Sequence, residues 1–205
     1  MTIVYFFGPD GSGKSTLTKT LAKVLCERGY KVKLSWMRGS HTITSLVSKF
    51  LSRFDFFNGP ENPYYAIRIP KNLKILWQFL EFLGALPVIF GKFLIPNLLG
   101  YYILADRYVL DLAVWISLTT NDYDFFRKFE AKFLITLTTQ TSAKFYVNAN
   151  IKKLKGRKGN FWFAQKQLQL YDKLAKIVGA HIIDTTDKSV DQSLQEVLKV
   201  IETAN

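Results

Sequence analysis

The residues that most directly indicate chemistry lie near the N-terminus, in a glycine-rich octapeptide. Gly8-Pro9-Asp10-Gly11-Ser12-Gly13-Lys14-Ser15 matches the pattern G-x-x-x-x-G-K-[ST], and Thr16 follows it. Phosphates concentrate negative charge in a small volume. Glycines let backbone N–H groups turn inward around them, and the next helix adds its positive end. The pattern predicts that Lys14 reaches the β- and γ-phosphates of ATP and that the Ser15 hydroxyl ligates Mg²⁺. The other residues predicted to bind the nucleotide are Gly8, Asp10, Gly11, Ser12, Gly13 and Thr16.

The neighbouring residues predict the elements that would hold this loop. Thr2–Phe7 is a short apolar run of β-branched and aromatic residues, typical of a buried strand. Lys14–Arg28 follows with helical spacing, because its leucines recur every four residues. Tyr30–Trp36 has the composition of a second strand. Strand, loop, helix and strand in this order begin a parallel α/β sheet.

A second polar cluster, Asp106-Arg107-Tyr108, follows directly on a third predicted strand at Gly100–Ala105. In an open parallel sheet, ligands bind at the carboxyl ends of the strands. An Asp there can hold Mg²⁺ through water or orient an attacking oxygen, and the adjacent Arg can grip phosphate oxygens with two N–H groups. A structural ion pair near a helix start is the alternative interpretation of the same two residues.

Periodicity predicts the remaining elements. Expected helices are His41–Phe54, Asn72–Leu94 with a kink or break at Pro87, Val109–Leu118, Tyr123–Leu137, Phe161–Val178 and Ser189–Ile201; expected strands are Lys144–Ala149 and His181–Asp184, and Asn58–Pro63 is expected to be a loop. The apolar stretch 82–105 favours a buried helix followed by a buried strand over a membrane span, because Lys92 and several prolines and glycines interrupt it.

Composition limits the class of protein. The 205 residues are 48% hydrophobic, which suits one domain over residues 1–205 and excludes a disordered chain. A net charge of +12 fits nucleic acid, an acidic membrane or polyphosphate substrates, and does not choose among them. Cys26 is the single cysteine and has apolar neighbours, which predicts a core position and no intrachain disulfide. With no basic leader segment, these features predict a cytoplasmic protein.

Together, these features resemble the thymidylate kinase family of nucleoside monophosphate kinases. The family's phosphate loop is similar to Gly8–Thr16 and its later signature to Asp106-Arg107-Tyr108. Leu154–Lys158 resembles its lid, and Tyr171–Ala175 the helix after the lid. The resemblance implies a three-layer α/β/α P-loop kinase fold with a five-stranded parallel sheet in the order 2-3-1-4-5. It also implies a basic lid near residues 150–160, ATP and Mg²⁺ as cofactors, and a homodimer formed through the apolar middle of the chain.

The resemblance also implies roles for individual residues. Asp10 would face the acceptor, and Arg38 and Arg107 would hold its phosphate. Arg157 and Lys158 would close over the ATP phosphates. Some family members carry an arginine in the phosphate loop and others a glycine together with a basic lid, and this chain matches the second pattern. The residues expected to be catalytic are Lys14, Asp106, Arg107 and Arg157, and those expected to hold the metal are Ser15 and Asp106.

The chain departs from the family in the part that would select the acceptor. After the second strand the family usually has Arg-Glu-Pro-Gly, whereas Met37–His41 retains only Arg38. The family also reads thymine with an arginine in the helix before the third strand, and no arginine stands between Arg68 and Arg107 here. The aromatic residues of that helix have spacing that favours the core over stacking on a base: Trp77, Phe79 and Phe82.

The expected activity is transfer of the ATP γ-phosphate to a nucleoside monophosphate, with dTMP as the first candidate. One alternative is a kinase of the same fold with a different acceptor, for which Tyr64, Tyr65 and Arg68 offer an aromatic and basic cluster. An alternative of another class is a non-catalytic nucleotide-binding or nucleic-acid-binding protein. Nucleotides are the expected partners, and no nucleic acid or membrane partner is expected.

Overall fold

The central strand is buried on both faces because all five of its residues, Ile3–Phe7 (β1), are apolar. The structure is a computed structural model that describes residues 2–39, 42–158 and 164–203. The other strands are Val32–Trp36 (β2), Asn58–Asn62 (β3), Tyr102–Asp106 (β4), Ala143–Asn148 (β5) and His181–Asp184 (β6). The helices are Lys14–Glu27 (α1), Thr44–Leu51 (α2), Lys74–Ile89 (α3), Ile95–Leu98 (α4), Val109–Thr119 (α5), Phe129–Leu137 (α6), Ile151–Lys158 (α7), Ala164–Val178 (α8) and Val190–Thr203 (α9).

Two hydrophobic cores cover the two faces of the sheet. Tyr5 and Phe7 point to one face, where they pack in a core with residues of α3, α5 and α8. Val4 and Phe6 point to the other face and pack against α1 and α9. Because successive strand residues face opposite sides, this alternation produces the three layers. The predicted α/β/α arrangement with five parallel strands is confirmed.

The order of the strands is β2-β4-β1-β5-β6, which differs from the expected 2-3-1-4-5. The difference arises because the chain forms a further strand, β3, within the segment Asn58–Pro63 that was expected to be a loop. β3 lies outside this sheet and bridges only to Ile67 among the described residues. β4, β5 and β6 are the third, fourth and fifth strands of the sheet along the chain.

The apolar middle of the chain forms a nearly continuous helical segment, and Pro87 does not break it. α3 runs through Pro87 to Ile89, a π-helical turn spans Phe90–Leu94, and α4 follows. Proline lacks an N–H group and removes one helical hydrogen bond, and the wider turn begins within one turn of it. The expected helix at Tyr123–Leu137 is also shorter, because a 3₁₀ turn at Phe125–Arg127 precedes α6.

The helical segment 71–98 is long and apolar enough to cross a membrane by length and composition alone, and it is the one such segment in the described ranges. The core helix of a soluble protein can pass the same test of length and composition. One face of the segment, which includes Phe82, Ala85, Ile89 and Phe93, is part of the core. The other face is exposed, so the expectation of a buried helix is met on one side only.

Cys26 is exposed, which corrects its expected place in the core. The buried stripe of α1 follows Leu17, Leu21 and Leu25. Cys26 comes one residue after Leu25, about 100° around the helix axis, in the final turn where α1 ends. Its apolar sequence neighbours therefore do not bury it.

Candidate active site

The phosphate loop (Gly8–Ser15) connects the end of β1 to the first turn of α1, as predicted. Gly8 has φ +137°, and a Cβ atom added there would stand 2.3 Å from the carbonyl oxygen of Val147, so only glycine fits against β5. Gly13, with φ +91°, directly precedes α1. The loop therefore presents its backbone beside the positive end of a 14-residue helix, which is the geometry that binds phosphate.

Lys14 is buried within the loop and curls over it. Its Nζ atom donates to the carbonyl oxygen of Pro9 and to Ser12 Oγ at 3.1 Å. Burial and the nearby Arg107 lower the pKa of Lys14 to about 7, while Asp111, Asp10 and Asp106 act in the opposite direction. A bound polyphosphate would add negative charge beside this ammonium and favour its protonated form.

Two arginines that follow the ends of different strands contact the carboxylate of Asp10. Arg38, which follows β2, donates from Nη2 to Asp10 Oδ2 at 2.8 Å, and Arg107, which follows β4, donates from Nη2 to Asp10 Oδ1. Burial alone would raise the pKa of Asp10, but Arg107, Arg38 and Lys14 together lower it to about 2. The cluster is therefore an ion-paired group with two cations aimed at one anionic position.

The backbone of Arg107 is in the left-handed region, with φ +71°, which is uncommon for a residue with a side chain. Its guanidinium also donates to the Gly8 carbonyl at 3.3 Å and to Asp111 Oδ1 at 3.0 Å. Burial alone would lower the pKa of Arg107, but the carboxylates around it, Asp111 first, raise it overall. Such backbone conformations concentrate at functional sites.

Arg157 reaches the phosphate loop from α7. Its Nη1 atom donates to the Gly11 carbonyl at 3.1 Å, and its Nη2 atom to the Thr185 carbonyl at 3.4 Å. Thr185 in turn donates from Oγ1 to the Ser12 carbonyl at 2.8 Å. Lys158 ends α7, and its side chain lies outside the described residues. The basic segment expected to be a lid thus forms a helix that places an arginine over the loop.

One cavity of about 530 Å³ brings these groups together, a size typical of small-molecule sites. On one side it is lined by Asp10, Arg38 and Arg107, and on the other it continues to the start of α9. The predicted residues that line it are Asp10, Gly11, Gly13, Lys14, Ser15, Thr16, Arg38, Arg107 and Arg157, and those that sequence reasoning missed are Leu17, Trp36, Thr185, Lys188, Ser189, Val190 and Ser193.

Asp106 lies at the end of β4, in register with Phe6 of β1 and Trp36 of β2. Its charge opposes the lowering of the Lys14 pKa by burial, and it adds to the raising of the Arg107 pKa. Among the described residues, no group of three His, Cys, Asp or Glu side chains could hold a metal ion. Mg²⁺ that arrives with ATP needs only one or two protein ligands. Ser15 lines the cavity and Asp106 is not among its lining residues, so Ser15 and Asp106 as metal ligands stay a prediction.

The residues considered for the acceptor divide into two groups. Arg38 lies over the Tyr64 ring, 5.2 Å from its centroid, and Tyr64 lies 5.5 Å from the Trp115 ring. Trp115 is a residue that sequence reasoning missed. The others lie elsewhere: Trp77 packs with Ile67, Ile69 and Tyr65, Phe82 is in the core, Phe79 is on the surface, and Arg68 pairs with Glu61.

The three-layer α/β/α sheet and the phosphate loop at the end of β1 together define a P-loop kinase-like fold. No protein-family model matches the chain, and no curated protein matches it. Among solved structures, the chain is similar to the thymidylate kinase from Ehrlichia chaffeensis, with a TM-score of 0.63 and 16% sequence identity, over 98% of both chains. A likeness at this identity establishes a shared fold over the full length.

Proposed function

We propose that this protein is an ATP-dependent phosphotransferase that acts on a nucleoside monophosphate, with dTMP as the first acceptor to test. The observation that carries the proposal is the cavity in which a phosphate loop faces a pair of arginines. Lys14 lies on the donor side, and Arg38 and Arg107 converge on the acceptor side. A kinase needs this arrangement because two phosphates that repel each other must be held in line.

The residues of the chain would contribute mainly position and charge. Lys14 and Arg157 would hold the donor phosphates, and Arg38 and Arg107 the acceptor phosphate. Asp10 now pairs with both arginines, so an incoming phosphate would have to share them or displace its carboxylate. Mg²⁺, held by Ser15 and Asp106, would neutralise charge on the donor phosphates. Closure of α7 over the loop would exclude water and so limit ATP hydrolysis.

A second candidate is a kinase of the same fold whose acceptor carries no base. The space behind the two arginines is only about 10 Å³, close to what one water molecule needs. Trp115 lines it, and the Trp115 indole packs on Gly39, where an added Cβ atom would come within 1.8 Å of the ring. In this arrangement a nucleobase does not fit into the space behind Arg107, which favours a smaller phosphorylated acceptor.

An ADP-release assay distinguishes these candidates. Mg·ATP is supplied alone, then with dTMP, with each other nucleoside monophosphate, and with small phosphorylated metabolites. Stimulation by a monophosphate supports the first candidate, and stimulation by base-free phosphates alone supports the second. ATP binding without any stimulation would leave the non-catalytic alternative. Salt-dependent binding to DNA or RNA that survives Lys14→Ala would favour the nucleic-acid alternative.

We also propose that the protein forms a homodimer through the exposed apolar faces of α2, α3 and α6. Phe50, Leu83 and Phe129 are among the large apolar side chains exposed there. Single exposed apolar residues are normal on a protein surface, but several on neighbouring helices indicate an interaction surface. Leu83→Glu should yield a monomer in sedimentation velocity. Ile182→Glu, at an exposed isoleucine of β6 outside these faces, is the control. A wild-type chain that sediments as a monomer at micromolar concentration would exclude the dimer.

A further inference from the structure

Asp111 is the only charged residue of α5, and its side chain is buried directly behind Arg107. Oδ1 accepts from Arg107 Nη1 at 3.0 Å and from the Tyr171 hydroxyl at 2.9 Å. Oδ2 accepts from the Tyr5 hydroxyl at 2.7 Å and from the Tyr108 N–H at 3.2 Å. A buried carboxylate with four donors, one of them a cation, is fully satisfied.

Tyr5 and Tyr171 connect this carboxylate to strand β1 and to helix α8. The Tyr5 hydroxyl, from β1, also accepts the N–H groups of Leu110 and Asp111 at 3.1 and 3.2 Å, which fixes the start of α5. Tyr171 comes from α8. Burial and the Asp111 carboxylate raise the pKa values of both phenols, so both stay protonated and donate.

Arg107 depends on this support. It has the left-handed backbone conformation described above, and its guanidinium is buried, so it cannot take its orientation from water. Asp111 and the Gly8 carbonyl hold Nη1 from behind, which leaves Nη2 directed at Asp10 in the cavity. A guanidinium fixed on one side presents its other side in a defined direction, which lowers the entropic cost of binding a phosphate.

We propose that Asp111 is the positioning residue for Arg107, and that Tyr171 makes this positioning depend on how α8 is seated. The inference rests on the proposed function, since it assigns Arg107 to the acceptor phosphate. α8 follows α7 in the chain, and α7 carries Arg157 over the phosphate loop. A shift of α8 would therefore reach the acceptor arginine through one phenol and one carboxylate.

The chain offers a matched control on the same helix. Asp172, next to Tyr171, accepts from the Tyr146 hydroxyl at 2.7 Å. This tyrosine–carboxylate hydrogen bond anchors α8 to β5, whereas the Tyr171–Asp111 bond anchors α8 to α5. None of the hydrogen bonds described for Arg107 involves Asp172, so Asp172→Asn and Tyr146→Phe test a loss of helix anchoring alone.

The first measurement compares KM for the acceptor with KM for ATP. Asp111→Asn should raise the acceptor KM about tenfold to a hundredfold, because a charged hydrogen bond is lost. The ATP KM should change at least about fivefold less. Tyr171→Phe, which removes one hydroxyl and should fold, is expected to raise the acceptor KM roughly threefold to tenfold. The two control variants should match wild type. Equal changes in both KM values, or an unchanged acceptor KM in Tyr171→Phe, would refute the proposal.

The second measurement needs no turnover. The ¹⁵N–¹H signals of the Arg107 guanidinium, assigned by their loss in Arg107→Lys, should show slow Nε–Cζ rotation in wild type. They should show faster rotation in Asp111→Asn and Tyr171→Phe but not in Asp172→Asn. Unchanged rotation in Asp111→Asn would overturn the inference. If no acceptor is phosphorylated, the proposed function fails while these signals still decide the role of Asp111.

Discussion

Replacing Glu81 by Gln should change how the stability of the protein depends on pH. Glu81 lies on α3 between Lys74 and Lys92, and it is the one charged side chain in that interval. It is 2% exposed, and its Oε2 accepts from Thr42 Oγ1 at 3.3 Å. Burial raises the pKa of its carboxyl to about 8, although hydrogen bonds from Trp115, Thr42 and Trp77 act in the opposite direction.

The sign of the effect follows from proton binding. Between pH 4.5 and 8 the native state binds a proton at Glu81 that the unfolded chain has released, so the free energy of unfolding falls as the pH rises. The native and unfolded pKa values of Glu81 differ by three to four units. This difference corresponds to a loss of roughly 4–5 kcal/mol in the free energy of unfolding once the pH exceeds both values. Gln has the shape of the protonated acid and does not titrate. Glu81→Gln should therefore gain several kcal/mol relative to wild type between pH 5 and pH 9.

Urea unfolding of both proteins at pH 5, 7 and 9 measures this difference. Comparing variant and wild type at the same pH cancels the contributions of other titrating groups to the free energy of unfolding. Lys14 is one such group, because its lowered pKa makes stability rise between about pH 7 and 10.5. The gain should already be about 3 kcal/mol at pH 7. A difference between variant and wild type that stays constant from pH 5 to pH 9 would show that Glu81 is not a buried, protonated acid.

Two further substitutions test the acceptor side of the cavity. Gly39→Ala should lower the free energy of unfolding by about 1–3 kcal/mol, measured by urea unfolding, because the new Cβ would overlap the Trp115 ring; Gly91→Ala, where an added Cβ meets no atom within 4 Å, is the control, and equal stability of the two variants would contradict the packing described. Arg38→Ala should raise the acceptor KM about tenfold to a hundredfold in the ADP-release assay. Arg68→Ala, at an exposed arginine paired with Glu61, should not, and equal effects would remove Arg38 from the acceptor site.

Local patterns predicted the parts of the site that depend on a few consecutive residues. The phosphate loop was readable because its glycine spacing and its place between a strand and a helix are properties of one short segment. Arg107 was readable because it directly follows a buried strand, and strand ends meet at one edge of the sheet.

The parts that were missed depend on contacts between distant segments. Asp111 and Glu81 are each the single acidic residue of an apolar helix, and that isolation is the signal that could have identified them. Their partners Tyr5, Tyr171 and Thr42 come from other elements, which sequence spacing does not bring together. Trp115 was missed for the same reason, since its role depends on the turn after Arg38.

The measurement that most directly tests the central claim is detection of the transferred phosphate. The protein is incubated with Mg²⁺, γ-labelled ATP and a pool of nucleoside monophosphates and small phosphorylated metabolites, and the products are separated by chromatography. The account predicts label in an acceptor with wild type and its loss in Lys14→Ala and Arg107→Ala. Label found only in inorganic phosphate, or transfer that survives Lys14→Ala, would contradict a phosphotransferase that uses this cavity.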